Sequence, residues 1–342
     1  MMRKFKRGFS LFLAVMVVFG LAGCAKSTGK EASQTITITN VSYDPTREFY
    51  VAYNALFEKY YSEKTGKQVE VVQSHGGSGG QARSVIEGAN ADVVTLALAH
   101  DITLIEKAGL LKPGWIKEFK GNSSPYTSSI VFLVRKGNEK GIKDWDDLIK
   151  EGVAVITPDP KSSGGACWNF LAAWNYAAQQ FHGNEDEMKA FMAKLYNNVT
   201  VMDSGARGAT TTFVENGQGD VLIAWENEAI MTVEEYPDDY EIISPSISIL
   251  AEPSVAIVDE NADKNNTQEI AKEYLDHLYT DEAQKMIGEY GYRPSNQTVL
   301  KEFSNKFDLN MKLCTINDFG GWDAVYDKFF VDGGIFDEIY GN

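Results

Sequence analysis

Four short segments of this 342-residue chain place small residues where helices begin. They are Ser42-Tyr43-Asp44-Pro45-Thr46-Arg47, Ser74-His75-Gly76-Gly77-Ser78-Gly79, Lys161-Ser162-Ser163-Gly164-Gly165-Ala166 and Asp203-Ser204-Gly205-Ala206-Arg207-Gly208. A helix start leaves about four backbone N–H groups without intrahelical partners and carries the positive end of the helix dipole. Glycine lets a ligand approach that backbone closely. Such a turn can hold an anion with no cationic side chain. Any one of the four alone reads better as a plain loop or an ordinary cap, but four in one chain point to a shared purpose. None matches G-x-x-x-x-G-K-[ST], nor G-x-G-x-x-G after a strand, so nucleotide chemistry is disfavoured. A fifth segment, Ala224-Trp225-Glu226-Asn227-Glu228, follows the apolar run Val221–Ile223. Its Trp225 is either a core side chain or a lone indole donor at a strand end.

These turns need elements to position them, and hydrophobic periodicity supplies them. Thr35 to Asn40 alternates as a half-buried strand, and Phe49, Tyr53, Phe57 and Tyr60 line one face of a helix over Pro45 to Tyr61. Asp44 before Pro45 predicts an N-cap followed by proline at the first helical position, and Gly66 closes the unit. Strands are expected at Val69–Val72, Asp92–Leu98, Ser129–Arg135, Val153–Ile156, Val199–Met202, Val221–Trp225 and Ile247–Val258. Helices are expected at Gln81–Glu87, Asp101–Ala108, Trp168–Phe181, Ala209–Glu215, Gln268–Tyr279 and Asp281–Tyr290, with a short one at Trp145–Lys150. The alternation predicts an α/β fold of mixed, mostly parallel sheets in two lobes with a cleft between them. The expected division is 35–128 plus 250–310 for one lobe and 129–249, joined by 311–342, for the other.

Composition narrows the function. At 44% hydrophobic the chain can bury a sizeable core, and a net charge of −16 argues against a nucleic-acid partner. Arg3, Lys4, Lys6 and Arg7 precede the apolar run Phe9–Ala22, which is too short to span a bilayer comfortably and predicts an export signal over 1–23. It ends in Leu21-Ala22-Gly23-Cys24, the lipobox pattern of bacterial lipoproteins, so Cys24 is expected to be lipidated and 24–34 to be a flexible tether. Losing four basic and no acidic residues takes the net charge from −16 to −20. Cys167 and Cys314 remain. Export permits a bridge between them, and two buried free thiols are the equal alternative. His75, His100, His182 and His277 form no metal motif, so neither a metal nor another cofactor is expected.

The motifs together resemble the sulfate-binding proteins of the bacterial sulfate/thiosulfate ABC importer. The four turns carry the resemblance with Ala91–Leu98, Pro125–Ser128, Phe132–Asn138, Gly219–Ala229 and Ser248–Pro253, in order over about Asn40 to Gly321. The resemblance implies a two-lobed, type II periplasmic solute-binding fold that buries its anion among neutral donors. Carried over by position, the backbone donors are Asp44, Ser78, Gly164, Gly165 and Ala206. The hydroxyl donor is Ser163 and the indole donor Trp225. His75, Asp92 and Arg207 resemble residues that support the donor peptides without touching the anion. Where the family usually has arginine after the Gly-Gly-Ala turn this chain has Cys167, and Cys314 is also unusual for its segment. Those two departures tilt the balance slightly toward a Cys167–Cys314 bridge.

By that resemblance the partners are sulfate, with thiosulfate, molybdate or phosphate as alternatives, and a membrane permease. The protein is expected to act as a lipid-anchored monomer outside the cytoplasm. A hydrolase of sulfate or phosphate esters would need a nucleophile and base, and Ser163 has no histidine near it in sequence. The Asp44 carboxylate is expected to cap its own helix and leave only its backbone for the ligand.

Overall fold

The computed structural model describes residues 35–340. The expected signal segment, Cys24 and the tether lie outside the described residues. Thirteen strands form among the described residues: β1 Ile36–Tyr43, β2 Val69–Gly76, β3 Val93–Leu96, β4 Tyr126–Thr127, β5 Ile130–Arg135, β6 Val155–Pro158, β7 Val199–Asp203, β8 Val221–Trp225, β9 Tyr240–Ile243, β10 Ile247–Ile249, β11 Ser254–Ile257, β12 Arg293–Pro294 and β13 Lys312–Cys314. One sheet has the order β11-β3-β1-β2 and the other β7-β6-β8-β5-β9. β1 runs parallel to β2 and β3, and β6 parallel to β7 and β8. β11 and β5 run antiparallel to their neighbours. The sheets are therefore mixed, as the alternation predicts.

Both sheets are covered on both faces. Along β3, Val93 packs with Phe49, Tyr53 and Phe57 of the helix Arg47–Thr65. The next residue, Val94, turns the other way to pack with Val85, Ile102 and Ile105. In β5, Ile130, Phe132 and Val134 face one core while Val131 and Leu133 face another. This period of two is what a strand buried on both faces must show. Burying such residues contributes about 25 cal/mol per Å² of apolar area removed from water. The C-terminal segment adds Val325, Phe329, Phe330 and Phe336 to the core that holds Phe170 and Trp174 of the helix Gly164–Gln180.

Three expectations change. The strand region expected over Ile247–Val258 is two short strands: β10 pairs with β13, and β11 pairs with β3. Pro253 lies between them and has no N–H to continue a ladder. The helices expected from Gln81, Trp168 and Ala209 begin at Ser78, Gly164 and Ala206. In each case the small-residue turn is itself the first helical turn, and it carries no apolar period to reveal it. Asp44 does not cap its helix. Tyr43 is the extended N-cap, and Asp44 is the first residue of the 3-10 turn Asp44–Thr46 that leads into the Arg47 helix.

Candidate anion-binding site

The four turns converge. A Cβ built on Gly164 would stand 2.9 Å from Ser78 Cβ and 2.9 Å from Leu98 Cγ. One on Gly165 would stand 3.1 Å from Trp225 Nε1, 3.5 Å from Ser163 Oγ and 3.7 Å from Ala206 Cβ. One on Gly205 would meet the Asp44 carboxylate at 3.4 Å, and one on Gly77 the Ser162 carbonyl at 3.0 Å. Asp44, Ser78, Ser163, Gly164, Gly165, Ala206 and Trp225 are thus gathered in one place, from elements of both sheets. The starts lie just beyond the carboxyl ends of β1, β2, β6, β7 and β8, where ligands bind in open α/β sheets.

The helix starts point uncapped N–H groups into this cluster. Ser78, Gly164 and Ala206 are the first residues of the helices Ser78–Ile86, Gly164–Gln180 and Ala206–Val214. Their N-caps, Gly77, Ser163 and Gly205, make no side-chain cap bond. Elsewhere Asn184, Thr280 and Asn296 each accept a first-turn N–H with the side chain. Two of the caps in the cluster are glycines with no side chain to offer, which is how sequence leaves those donors available.

Neighbouring side chains hold the donors and do not compete for them. The Ser78 hydroxyl donates to Asp101 Oδ2 at 2.5 Å and accepts from Ala97 N at 3.0 Å, so Ser78 presents its backbone to the cluster. Burial pushes the Asp101 carboxyl up to about 6, although the Ser78 bond and Arg83 oppose it. The Asp44 carboxylate pairs with Arg47 at 3.2 Å. Trp225 is fully buried; its indole donates to Gly165 O at 3.1 Å, and its ring lies 5.5 Å from that of Tyr43. Ser163 is buried, with its N–H given to Asp159 O at 2.8 Å.

Arg207 ties the halves together. Its guanidinium makes two bonds to Glu48, at 3.0 and 2.7 Å, and one to Glu228 at 3.2 Å. Thr210 donates to the same Glu228 carboxylate at 2.9 Å. Burial works against the Glu48 charge, but Arg207 outweighs it and holds that carboxyl below its ordinary range. Burial dominates at Glu228 and raises it. His75 Nδ1 stands 3.4 Å from the Tyr43 carbonyl, and burial lowers its pKa, which favours the neutral ring.

Asp92 is not brought to the cluster. It accepts from Thr39 N, Asn265 and Thr267 at 2.7, 2.9 and 2.5 Å. The reason is topological: Asp92 precedes β3, whereas the donors stand beyond the other ends of the strands. Cys167 and Cys314 are free thiols. Cys167 sits inside the Gly164 helix with Sγ 3.4 Å from the Pro160 carbonyl, and Cys314 lies in β13. The pairings of Glu48, Asp101 and Glu228 had no signal in the sequence, because each partner is distant along the chain.

Comparison with known proteins agrees with this architecture. The family profile of bacterial extracellular solute-binding proteins matches residues 40–293. The sulfate-binding protein of Escherichia coli (strain K12) is 54% identical over 90% of this chain and 94% of its own length. The thiosulfate-binding protein of Pseudomonas aeruginosa is 42% identical over 96% of this chain and 98% of its own. Among solved structures, the sulfate-binding protein SubI from Mycobacterium tuberculosis H37Rv superimposes with a TM-score of 0.75 at 32% identity, covering 86% of this chain and 100% of that one. Uncapped helix starts meeting from two covered sheets, and relatives matched over nearly their full length, make this chain a member of the bacterial extracellular solute-binding protein family.

Proposed function

We propose that the protein captures sulfate outside the cytoplasm and delivers it to the membrane permease of an ABC importer. The observation that carries this reading is the meeting of uncapped helix starts around neutral donors. The N–H groups of Asp44, Ser78, Gly164, Gly165 and Ala206 and the Ser163 hydroxyl would take the anion, and the Trp225 indole would turn to it from the Gly165 carbonyl that it meets at 3.1 Å. Arg207 and His75 support those peptides from behind. Sulfate-binding relatives matched over most of their length favour the same ligand.

Donor-only chemistry suits sulfate. Sulfate has no proton at neutral pH, so each oxygen only accepts. Hydrogen phosphate carries a hydroxyl that must donate, and burying it without an acceptor costs about 1–3 kcal/mol. The Asp44 carboxylate pairs with Arg47 through Oδ1, and the reading requires that its backbone, not its side chain, meets the ligand.

Capture would close two lobes, 35–128 plus 250–310 and 129–249 joined by 311–342, about the strands that cross between them. Lipid on Cys24 would anchor the protein to the outer side of the cytoplasmic membrane. The role makes and breaks no bond, so the protein is not an enzyme and needs no cofactor. Thiosulfate is a second reading, favoured by the relative of that name. Calorimetry with sulfate, thiosulfate, molybdate and phosphate tests the proposal. Single-site heat from sulfate supports it; strong phosphate binding with no heat from sulfate overturns it.

A further inference from the structure

The C-terminal segment is built into one core and touches an element of the other. Val325, Phe329 and Phe330 pack with Phe170 and Trp174 of the helix Gly164–Gln180, so the segment travels with the Gly164 turn. It also meets the helix Ala99–Lys107, which is held on the β11-β3-β1-β2 sheet by Ile102 and Ile105 packed with Val94. The Tyr326 ring stacks on the His100 ring, 4.1 Å between centres and 15° between planes. Asp323 Oδ1 lies 3.9 Å from His100 Nδ1 and 3.8 Å from Lys107 Nζ. Trp322 meets Trp168 edge to face at 4.7 Å, and the Trp168 indole donates to Ala97 O at 2.9 Å.

These contacts stand directly behind the donor turns. Ala97 N donates to the Ser78 hydroxyl, and Asp101, the residue after His100, accepts from it. Tyr326 lines a cavity of about 150 Å³ with Gly79 and Asp101 on one side and Gly164 and Cys167 on the other. The aromatic contact therefore spans the gap that the anion would span, from the Ser78 turn to the Gly164 turn. Its ionic part is weak, because the Asp323 side chain is 76% exposed. The stack is the stronger part, since His100 is buried and Tyr326 half-buried. Each ring is carried by a different core, so parting the two turns must part the rings. We propose that Tyr326 and His100 are positioning residues that latch the closed cleft and set how long a captured anion stays. The inference rests on the capture reading above. Neither ring touches the anion. The anion enters while the turns are apart and the rings unstacked, so the latch acts on release and not on entry.

Stopped-flow tryptophan fluorescence with sulfate, or with thiosulfate should sulfate give no signal, separates the two rates. Tyr326→Ala should speed release by about 2- to 10-fold, the worth of a stacked pair, with the association rate constant unchanged. Tyr326→Phe keeps the ring and should restore slow release, which a general loosening of the fold would not allow. His100→Ala reads the same contact from the other side, should Tyr326→Ala fail to fold. Unchanged release in the folded variant, or a change confined to association, overturns the latch and leaves capture standing. Absence of binding of either anion to the unaltered protein overturns the capture reading, and the latch with it.

Discussion

Gly164 offers the most direct test of the way the donors are assembled. Replacing it with alanine adds one carbon 2.9 Å from Ser78 Cβ, 2.9 Å from Leu98 Cγ and 3.3 Å from Ala97 Cβ. Non-bonded carbons prefer about 3.5–4.0 Å, so the Gly164 turn must retreat from the Ser78 turn by roughly 0.6–1 Å. The helix itself should not suffer, because alanine is about 1 kcal/mol better than glycine in a helix. The damage falls on the anion. An N–H bond of about 2.9 Å stretched by that amount leaves the useful range. The Gly164 and Gly165 donors sit on the same turn, and a hydrogen bond to a charged group is worth about 1.5–3 kcal/mol. Losing two predicts about 3–6 kcal/mol, a weakening of sulfate binding by roughly 10² to 10⁴ at 1.4 kcal/mol per decade. Calorimetry against sulfate measures it, with thermal unfolding in the absence of sulfate as the check on folding. Gly80→Ala is the control: its added carbon would come no closer than 3.9 Å to Arg83 Nη2, so affinity should not change. Gly164→Ala binding sulfate as tightly as the unaltered protein would refute the reasoning, for the two turns would then not need their contact.

Arg207 and Glu48 should differ sharply when each is removed. Their pair is about one-third exposed on both sides, so solvent screening limits Glu48→Gln to about 1 kcal/mol or less of stability. Arg207→Met leaves the buried Glu228 carboxylate without its cation, a change that costs about 3–5 kcal/mol in other buried pairs; denaturant unfolding of both variants measures the contrast. Asp101 should give stability a distinct pH dependence. Burial raises its folded pKa to about 6 against about 3.9 in an unfolded chain, so between those values the folded protein keeps a proton that the unfolded chain has lost. Its contribution to stability therefore grows as pH falls from 6 toward 4, and Asp101→Asn should remove that slope from unfolding curves. Thiol titration of a form beginning after Cys24 should find two reactive groups in denaturant and no fast one in the native protein. Burial raises the Cys167 thiol well above its ordinary range and pushes Cys314 up to about 12, so little thiolate exists at neutral pH.

Much of the fold was legible because burial imposes period two on strands and a broader period on helices. Val221–Trp225 was read with its observed bounds, and the aromatic face of the Arg47 helix was plain. What escaped was where periodicity is silent. Ser78, Gly164 and Ala206 open their helices three or four residues earlier than the apolar pattern shows, because these turns are small residues packed against one another and carry no apolar period. That Asp44, Ser78, Ser163, Gly164, Gly165, Ala206 and Trp225 lie together was still recoverable from their residue types. Asp92 shows the limit of that route: its type matched, but its place at the start of β3 sends it to Thr39 and Thr267. Glu48 and Asp101 mark another limit, since a carboxylate gives no sign in sequence of a partner 159 or 23 residues away.

The acidity of the chain and the proposed anion are reconciled by what neutral donors can do that cations cannot. A net charge of −16 is felt weakly at a buried site, since exposed charges are screened beyond about 8–10 Å at physiological salt. Helix starts act at contact distance and carry only partial charges. An arginine clamp would reward any dianion for its charge, and sulfate and hydrogen phosphate are both dianions above neutral pH. Charge cannot separate them; only the count of donors and acceptors can. The structure keeps its cations out of that count: Arg47 is held by Asp44, and Arg207 by Glu48 and Glu228. Freeing either arginine toward the cluster would therefore be expected to tighten anion binding in general while erasing the discrimination. Asp44→Asn tests this by releasing Arg47, and a rise in phosphate affinity relative to sulfate is the predicted result. An unchanged ratio would mean that the Asp44–Arg47 pair plays no part in selectivity.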